Sequence, residues 1–360
     1  MKKLFYISLF FLLSIFLVAC GNTTDKQTKE TTTEPTNNAQ PAQDESKNEK
    51  VNFVYTAEHG GITKVDAATN KTIKSIDIEG SVHNVQISPD GRILGATVVP
   101  EIGEHGGHDS GHEEKTNGFA LFYDVETDQL INKVEVGSHP AHIVFTENMK
   151  YALVTNNEDN NVSVIDLTTY KMIQNISTGN GPHGFRIAAD SKTAYIANMG
   201  EDTVSVIDLE SMKESKKIVV GNTPVTTSVT PDGKNLVVTL NAENSLAIIN
   251  LENDNVEKVQ VGEGPAQVYI QSDGKYAFVA NQGTPENPSD SVSKIDLETR
   301  KIVTTIKVGK GAHGIVTSDD NQFVYVTNMY ENTVSVIDNN ENKVIATIEV
   351  GTEPNGITLK

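Results

Sequence analysis

Phe323-Val324-Tyr325-Val326-Thr327-Asn328 and, one short loop later, Thr333-Val334-Ser335-Val336-Ile337-Asp338 decide the fold of this 360-residue chain. Both runs are rich in β-branched residues and alternate with period two, the mark of short strands. Gly314-Ile315-Val316-Thr317 precedes them across the polar turn Asp319-Asp320-Asn321, and Lys343-Val344-Ile345-Ala346-Thr347-Ile348-Glu349-Val350-Gly351 follows. The unit therefore reads as four strands. It recurs as Tyr195-Ile196-Ala197-Asn198 with Val204-Ser205-Val206-Ile207-Asp208, and as Leu153-Val154-Thr155-Asn156 with Val162-Ser163-Val164-Ile165-Asp166. The glycines that end the units are Gly80, Gly137, Gly179, Gly221, Gly262, Gly309 and Gly351, spaced by 57, 42, 42, 41, 47 and 42 residues. A period near 42 announces a repeat architecture.

Tyr325-Val326-Thr327-Asn328 resembles the signature of the YVTN-repeat β-propellers, and the likeness covers residues 51–360. It implies an all-β fold of four-stranded blades. Val51 opens on what reads as the second strand of a unit, and Glu353-Pro354-Asn355-Gly356-Ile357-Thr358-Leu359 reads as a first strand alone. The expectation is a seven-bladed propeller whose N-terminal blade is closed by the C-terminal strand, which leaves no open sheet edge. Proteins of this look include surface-layer proteins, the propeller of nitrous-oxide reductase and extracytoplasmic zinc chaperones, so the resemblance speaks to fold before function.

Ahead of the repeats, Lys2 and Lys3 lead into the apolar run 4–18, which ends in Leu17-Val18-Ala19-Cys20-Gly21. The layout is that of a secretory signal, and the run is short for a membrane span. Leu-Val-Ala-Cys-Gly resembles the lipobox of bacterial lipoproteins, which implies a signal peptide over 1–19 and lipid on Cys20. The expected place is then the cell membrane, lipid-anchored and facing outside the cytoplasm. Residues 20–50 are mostly polar and lack the apolar content to order themselves, so they read as a tether reaching about 30 Å.

Composition narrows the function. Lys plus Arg is 29 against 48 for Asp plus Glu, a net charge of −19, and loss of Lys2 and Lys3 with the signal takes it to −21. That field repels phosphate backbones, so no nucleic-acid partner is expected. The single cysteine excludes internal disulfides, Cys-based zinc fingers, iron–sulfur clusters and a CxxCH haem attachment. There is no GxSxG nucleophile motif and no phosphate loop.

The histidines are the chemical signal. With strands lettered a to d from channel to rim, all nine fall in d-to-a or b-to-c connections, on one face of the ring. His83, His183 and His313 share one repeat position just before strand a, and His139 and His142 sit in the same connection of another blade. The equivalent positions elsewhere are Ala141 (beside His142), Val225, Ala266 and Asn355, so the cluster is lopsided, as a site would be. His59 lies in a b-to-c loop. An insertion at 99–117 adds His105, His108, Asp109, His112 and Glu113 among glycines, a composition that wraps a cation and cannot build a core. Imidazoles with carboxylates favour zinc. Copper is the second choice, with Met199 and Met329 too few for copper(I). The arrangement is similar to that of the zinc chaperone propellers, in which a flexible loop collects metal and a central site holds it. That likeness implies His105, His108 and His112 for the loop and His83, His142, His183 and His313 for the mouth. The expected function is metal binding for delivery or storage by a monomer, with a metal transporter or solute-binding protein as partner. The alternatives are a metal-free cell-envelope interaction scaffold and, least favoured, a lyase or lactonase-type enzyme.

Overall fold

The computed structural model describes residues 52–101 and 116–360, which form 26 strands and one short 3-10 turn. Cys20, the tether, and the insertion residues His105, His108, Asp109, His112 and Glu113 lie outside the described residues.

The strands assemble as a β-propeller. Five sheets are four-stranded and run in chain order, for example Ala312–Thr317, Phe323–Asn328, Thr333–Asp338 and Lys343–Glu349. Neighbours pair antiparallel throughout. Innermost strands touch the next in a closed cycle that includes Lys71–Ile87, Pro140–Phe145, Pro182–Ile187, Pro224–Val229, Pro265–Ile270, Ala312–Thr317 and Gly356–Leu359. Second strands are buried on both faces because blades stack on each side, whereas the outermost strands are mostly exposed. One apolar cluster, for instance, joins Leu153, Val164 and Phe185 with Ile196 and Ile207 across two adjacent blades.

Seven blades were expected, and counted as hydrogen-bonded sheets there are six. The sixth sheet has six strands, in the order Gly356–Leu359, Phe53–Asp66, Lys71–Ile87, Ile93–Val99, Asn117–Asp124 and Leu130–Ser138. Two strands cause the merger. Lys71–Ile87 runs without a break through Gly80, where other units interrupt the chain. Phe53–Asp66 doubles back at Gly60, whose φ is +85°, and the Ala67 amide donates to the Asn52 carbonyl. One sheet therefore carries the strands of two repeats. The C-terminal strand pairs with this sheet through Val54–Leu359 to Ala57–Gly356.

The repeated residues have identifiable work. Asn328 is wholly buried. Its Oδ1 accepts the Gly309 amide at 3.1 Å, and its Nδ2 donates to Thr333 Oγ1 and Ser335 Oγ at 2.9 Å each. One side chain thus ties the end of the preceding blade to the second and third strands of its own. Asn156 does the same with Gly137, Asn161 and Ser163. A Cβ on Gly309 would lie 2.5 Å from Asn328 Cγ, which is why glycine ends the unit. In the merged sheet Glu58 replaces this asparagine and accepts from Thr56 and Thr63. Burial raises its carboxyl pKa.

Candidate metal centre

Every inner strand except Gly356–Leu359 carries a register shift where it passes the histidine face. The shifts fall between Val82 and Asn84, Pro140 and Ile143, Pro182 and Phe185, and Ala312 and Ile315. A bulge re-aims side chains and leaves an amide without its ladder partner. Threonine from the second strand, the Thr of Tyr-Val-Thr-Asn, takes up that amide. Thr155 Oγ1 accepts from the His142 amide at 3.0 Å and donates to the His183 carbonyl of the next blade at 2.8 Å. Thr97 joins the Asn84 amide to the Ala141 carbonyl in the same way. The bulges are thereby locked blade to blade around the channel.

The four mouth histidines sit inside these bulged strands and not just before them, which corrects the sequence placement. In three of the four the bulge goes with rings that face one another. Ligand nitrogens of His83, His142 and His183 all lie within 4.8 Å of one another. Ring centroids are 5.1 Å apart for His83–His183 and His142–His183, and 5.8 Å for His83–His142.

The hydrogen bonding of the trio is incomplete. His142 is only 1% exposed, yet neither of its ring nitrogens has a partner. His83 Nδ1 is likewise buried, its ring only weakly engaged by the Ala141 carbonyl. His183 Nδ1 donates to the Val225 carbonyl at 3.2 Å, which leaves the Nε2 lone pair available. Burial pushes the imidazolium forms of His83 and His142 well below the usual range, aided by neighbouring imidazoles. Burial also takes His183 down to about 4. All three are neutral at pH 7 and present lone pairs, the state a metal ligand needs.

The remaining candidates divide. His313 lies outside the close trio, though near enough to bear electrostatically on each member, and its Nδ1 is held by the Asn355 carbonyl at 2.8 Å and lies 3.5 Å from Gln267 Nε2. His139 has φ +49°, its ring lies 6.1 Å from His83, and its Nδ1 is 3.5 Å from Glu158 at the half-exposed rim. His59 is exposed and 3.6 Å from Glu101. Sequence reading passed over Asn84, which occupies the His142 position one blade back, and Gln267. Neither belongs to a residue class that announces a metal site.

Zinc ligated by imidazoles sits about 2.0–2.1 Å from each nitrogen, which in a tetrahedron places the nitrogens roughly 3.4 Å apart. The trio needs only small ring movements to reach that spacing. Three neutral imidazoles, one of them His142 with both nitrogens buried and unpartnered, fit such an ion and leave one coordination position for a further ligand.

Comparison with known proteins agrees on architecture. Residues 119–275 match the YNCE-like beta-propeller family and residues 232–355 the Cytochrome D1 heme domain family. No curated protein matches the chain. Among solved structures, hydrazine synthase of Kuenenia stuttgartiensis is 21% identical with a TM-score of 0.66, covering 79% of this chain and 92% of that one. A putative 6-phosphogluconolactonase from Bacteroides fragilis NCTC 9343 is 13% identical with a TM-score of 0.69, over 88% and 100% of the two chains. The dihydro-heme d1 dehydrogenase NirN, solved in complex with DHE, is 14% identical with a TM-score of 0.62, over 86% and 75%. At these identities the likeness concerns the fold, and the fold it supports is the β-propeller.

Proposed function

We propose that this propeller binds one divalent transition metal ion, zinc before copper, at the channel mouth through His83, His142 and His183, for storage or delivery outside the cytoplasm. The buried, partnerless imidazole of His142 carries this reading. An apolar side chain would fill that space without leaving two polar atoms unsatisfied, so a histidine there wants an explanation. The ion would supply positive charge and a coordination position. The protein supplies neutral donors fixed by a closed ring, so little order has to be created on binding. His139 and His59 stand at the rim, where they would meet an entering cation. His105, His108, Asp109, His112 and Glu113 are proposed as a weaker collecting site, and lipid on Cys20 as the anchor that places the ring at the membrane surface beside a transporter or solute-binding protein.

Calorimetric titration of the chelator-stripped chain with zinc tests this. One tight site is expected, abolished by changing His83 and His183 together to Ala. Removing residues 103–114 should lower the stoichiometry and leave the tight site in place. Equal affinity in the double variant would make the cluster structural and the metal-free scaffold the better reading. Cys20→Ser should release the protein from membranes, and retention of that variant would refute the anchor.

A further inference from the structure

The opposite mouth of the channel carries a second constellation. Inner strands start at the histidine face, so their last residues and the turns after them lie at the other end. Arg186 follows His183 by three residues on Pro182–Ile187, roughly 10 Å further along at strand rise. It lines a cavity of about 450 Å³ together with Tyr269, Glu147 and Asp319, which come from other blades, and the apolar Val144 and Ile187.

Arg186 is under-used for a half-buried guanidinium. Nη1 donates to the Phe185 carbonyl at 2.9 Å, and the group faces the Tyr269 ring at 5.6 Å. Among the described residues it makes no ion pair, whereas the other two arginines, Arg92 and Arg300, each hold a carboxylate. Burial lowers its pKa from the ordinary value, a sign that its charge lacks compensation. Glu147 and Asp319 both bear electrostatically on the Tyr269 hydroxyl, and Arg186 opposes them there. Around the Tyr269 phenol the cavity thus sets Arg186, Glu147 and Asp319 without closing them into a pair, while the second cation of the lining, Lys360, lies at the edge beside Gly91. Asp90, at the cavity edge, is already engaged by Arg92 and Ser88.

We propose that this cavity binds a small zwitterion of the α-amino-acid class, its carboxylate on the Arg186 guanidinium and its ammonium towards Glu147 and Asp319. Charge complementarity selects the class. A dicarboxylate would bring a second anion against two carboxylates, and a simple amine would leave Arg186 uncompensated. Arg's planar fork suits a carboxylate bidentately. Val144 and Ile187 leave room for a short apolar or amide side chain.

The full-length chain is titrated calorimetrically with L-alanine, L-leucine and L-glutamine, and with succinate, inorganic phosphate and putrescine as contrasts. At least one amino acid should bind more tightly than about 1 mM and more tightly than every contrast. Arg186→Gln should weaken it about tenfold to a hundredfold, the usual loss for a hydrogen-bonded charge. Arg186→Lys, which keeps the charge, should also lose at least about tenfold because the fork is gone. Glu147→Gln should weaken the amino acid and spare succinate. Zinc binding at the histidine mouth reports that each variant retains the ring, and circular dichroism does so if zinc does not bind the parent. Arg186→Lys carries the test if Arg186→Gln does not fold. No amino-acid binding, a preference for any contrast ligand, or unchanged binding by Arg186→Lys would overturn the proposal.

Discussion

Replacing His142 by Leu separates a metal centre from a structural histidine cluster, because the two readings give opposite signs. In the protein without metal, His142 buries two ring nitrogens that have no partner. A buried unsatisfied polar group costs about 1–3 kcal/mol, and exchange for an apolar group of similar shape is neutral or stabilising. Leucine has about the volume of histidine but is branched where the imidazole is flat, so some packing is lost against the neighbouring rings. The expected net change is a gain of about 1–2 kcal/mol in urea unfolding with chelator present. With zinc at a hundred times its dissociation constant, the parent should gain about 2.7 kcal/mol by binding to the native state. His142→Leu should lose most of that gain. The order of stabilities therefore inverts: variant above parent in chelator, parent above variant in zinc. A residue kept for packing or hydrogen bonding would instead destabilise the chain on removal in both conditions. If His142→Leu is less stable than the parent in chelator and still responds fully to zinc, the metal-centre argument fails.

Metal-free stability should fall as pH drops from 6.5 towards 4. Over that window the unfolded chain takes up protons that His183, held at about 4, refuses, and His183 alone accounts for a loss of about 3 kcal/mol across it. Urea midpoints of the parent against His183→Phe across pH 4–8 isolate the effect, and parallel profiles would contradict it. Gly309→Ala should lose about 1–3 kcal/mol because its Cβ would lie 2.5 Å from buried Asn328, whereas Gly233→Ala, at φ +70° with open space around it, should lose only about 1 kcal/mol of backbone preference. Similar midpoints for the two would refute the asparagine tie. Deleting Thr352–Lys360 removes the strand paired with Val54–Ala57, and should lower the thermal midpoint and promote aggregation; an unchanged midpoint would refute closure by this strand.

What was legible in the sequence was whatever the repeat wrote several times over. Tyr-Val-Thr-Asn, Val-Ser-Val-Ile-Asp and the terminal glycine each contact their counterparts at fixed offsets, so a 42-residue period carries both strand pattern and blade contacts. The blade count was less legible because it depends on places where the repeat is irregular. Gly80 reads as a unit boundary, yet Lys71–Ile87 runs through it, and Glu58 stands where the motif has asparagine. The histidine cluster was visible as residues on one face, but its membership was not. A bulge shifts alternation by one, and it is the folded register that singles out His142, one position beyond the repeat's histidine site, with His83 and His183 from the four expected at the mouth. His313 shares that site with His83 and His183 yet falls outside the close trio, its Nδ1 anchored to Asn355, because the repeat fixes angular position around the channel and not convergence across it. Arg186 had no signal at all in the sequence. One arginine in a strand is ordinary, and its isolation from carboxylates is a property of how the blades come together. The repeat therefore specifies the frame, while the chemistry resides in the positions where individual units depart from it.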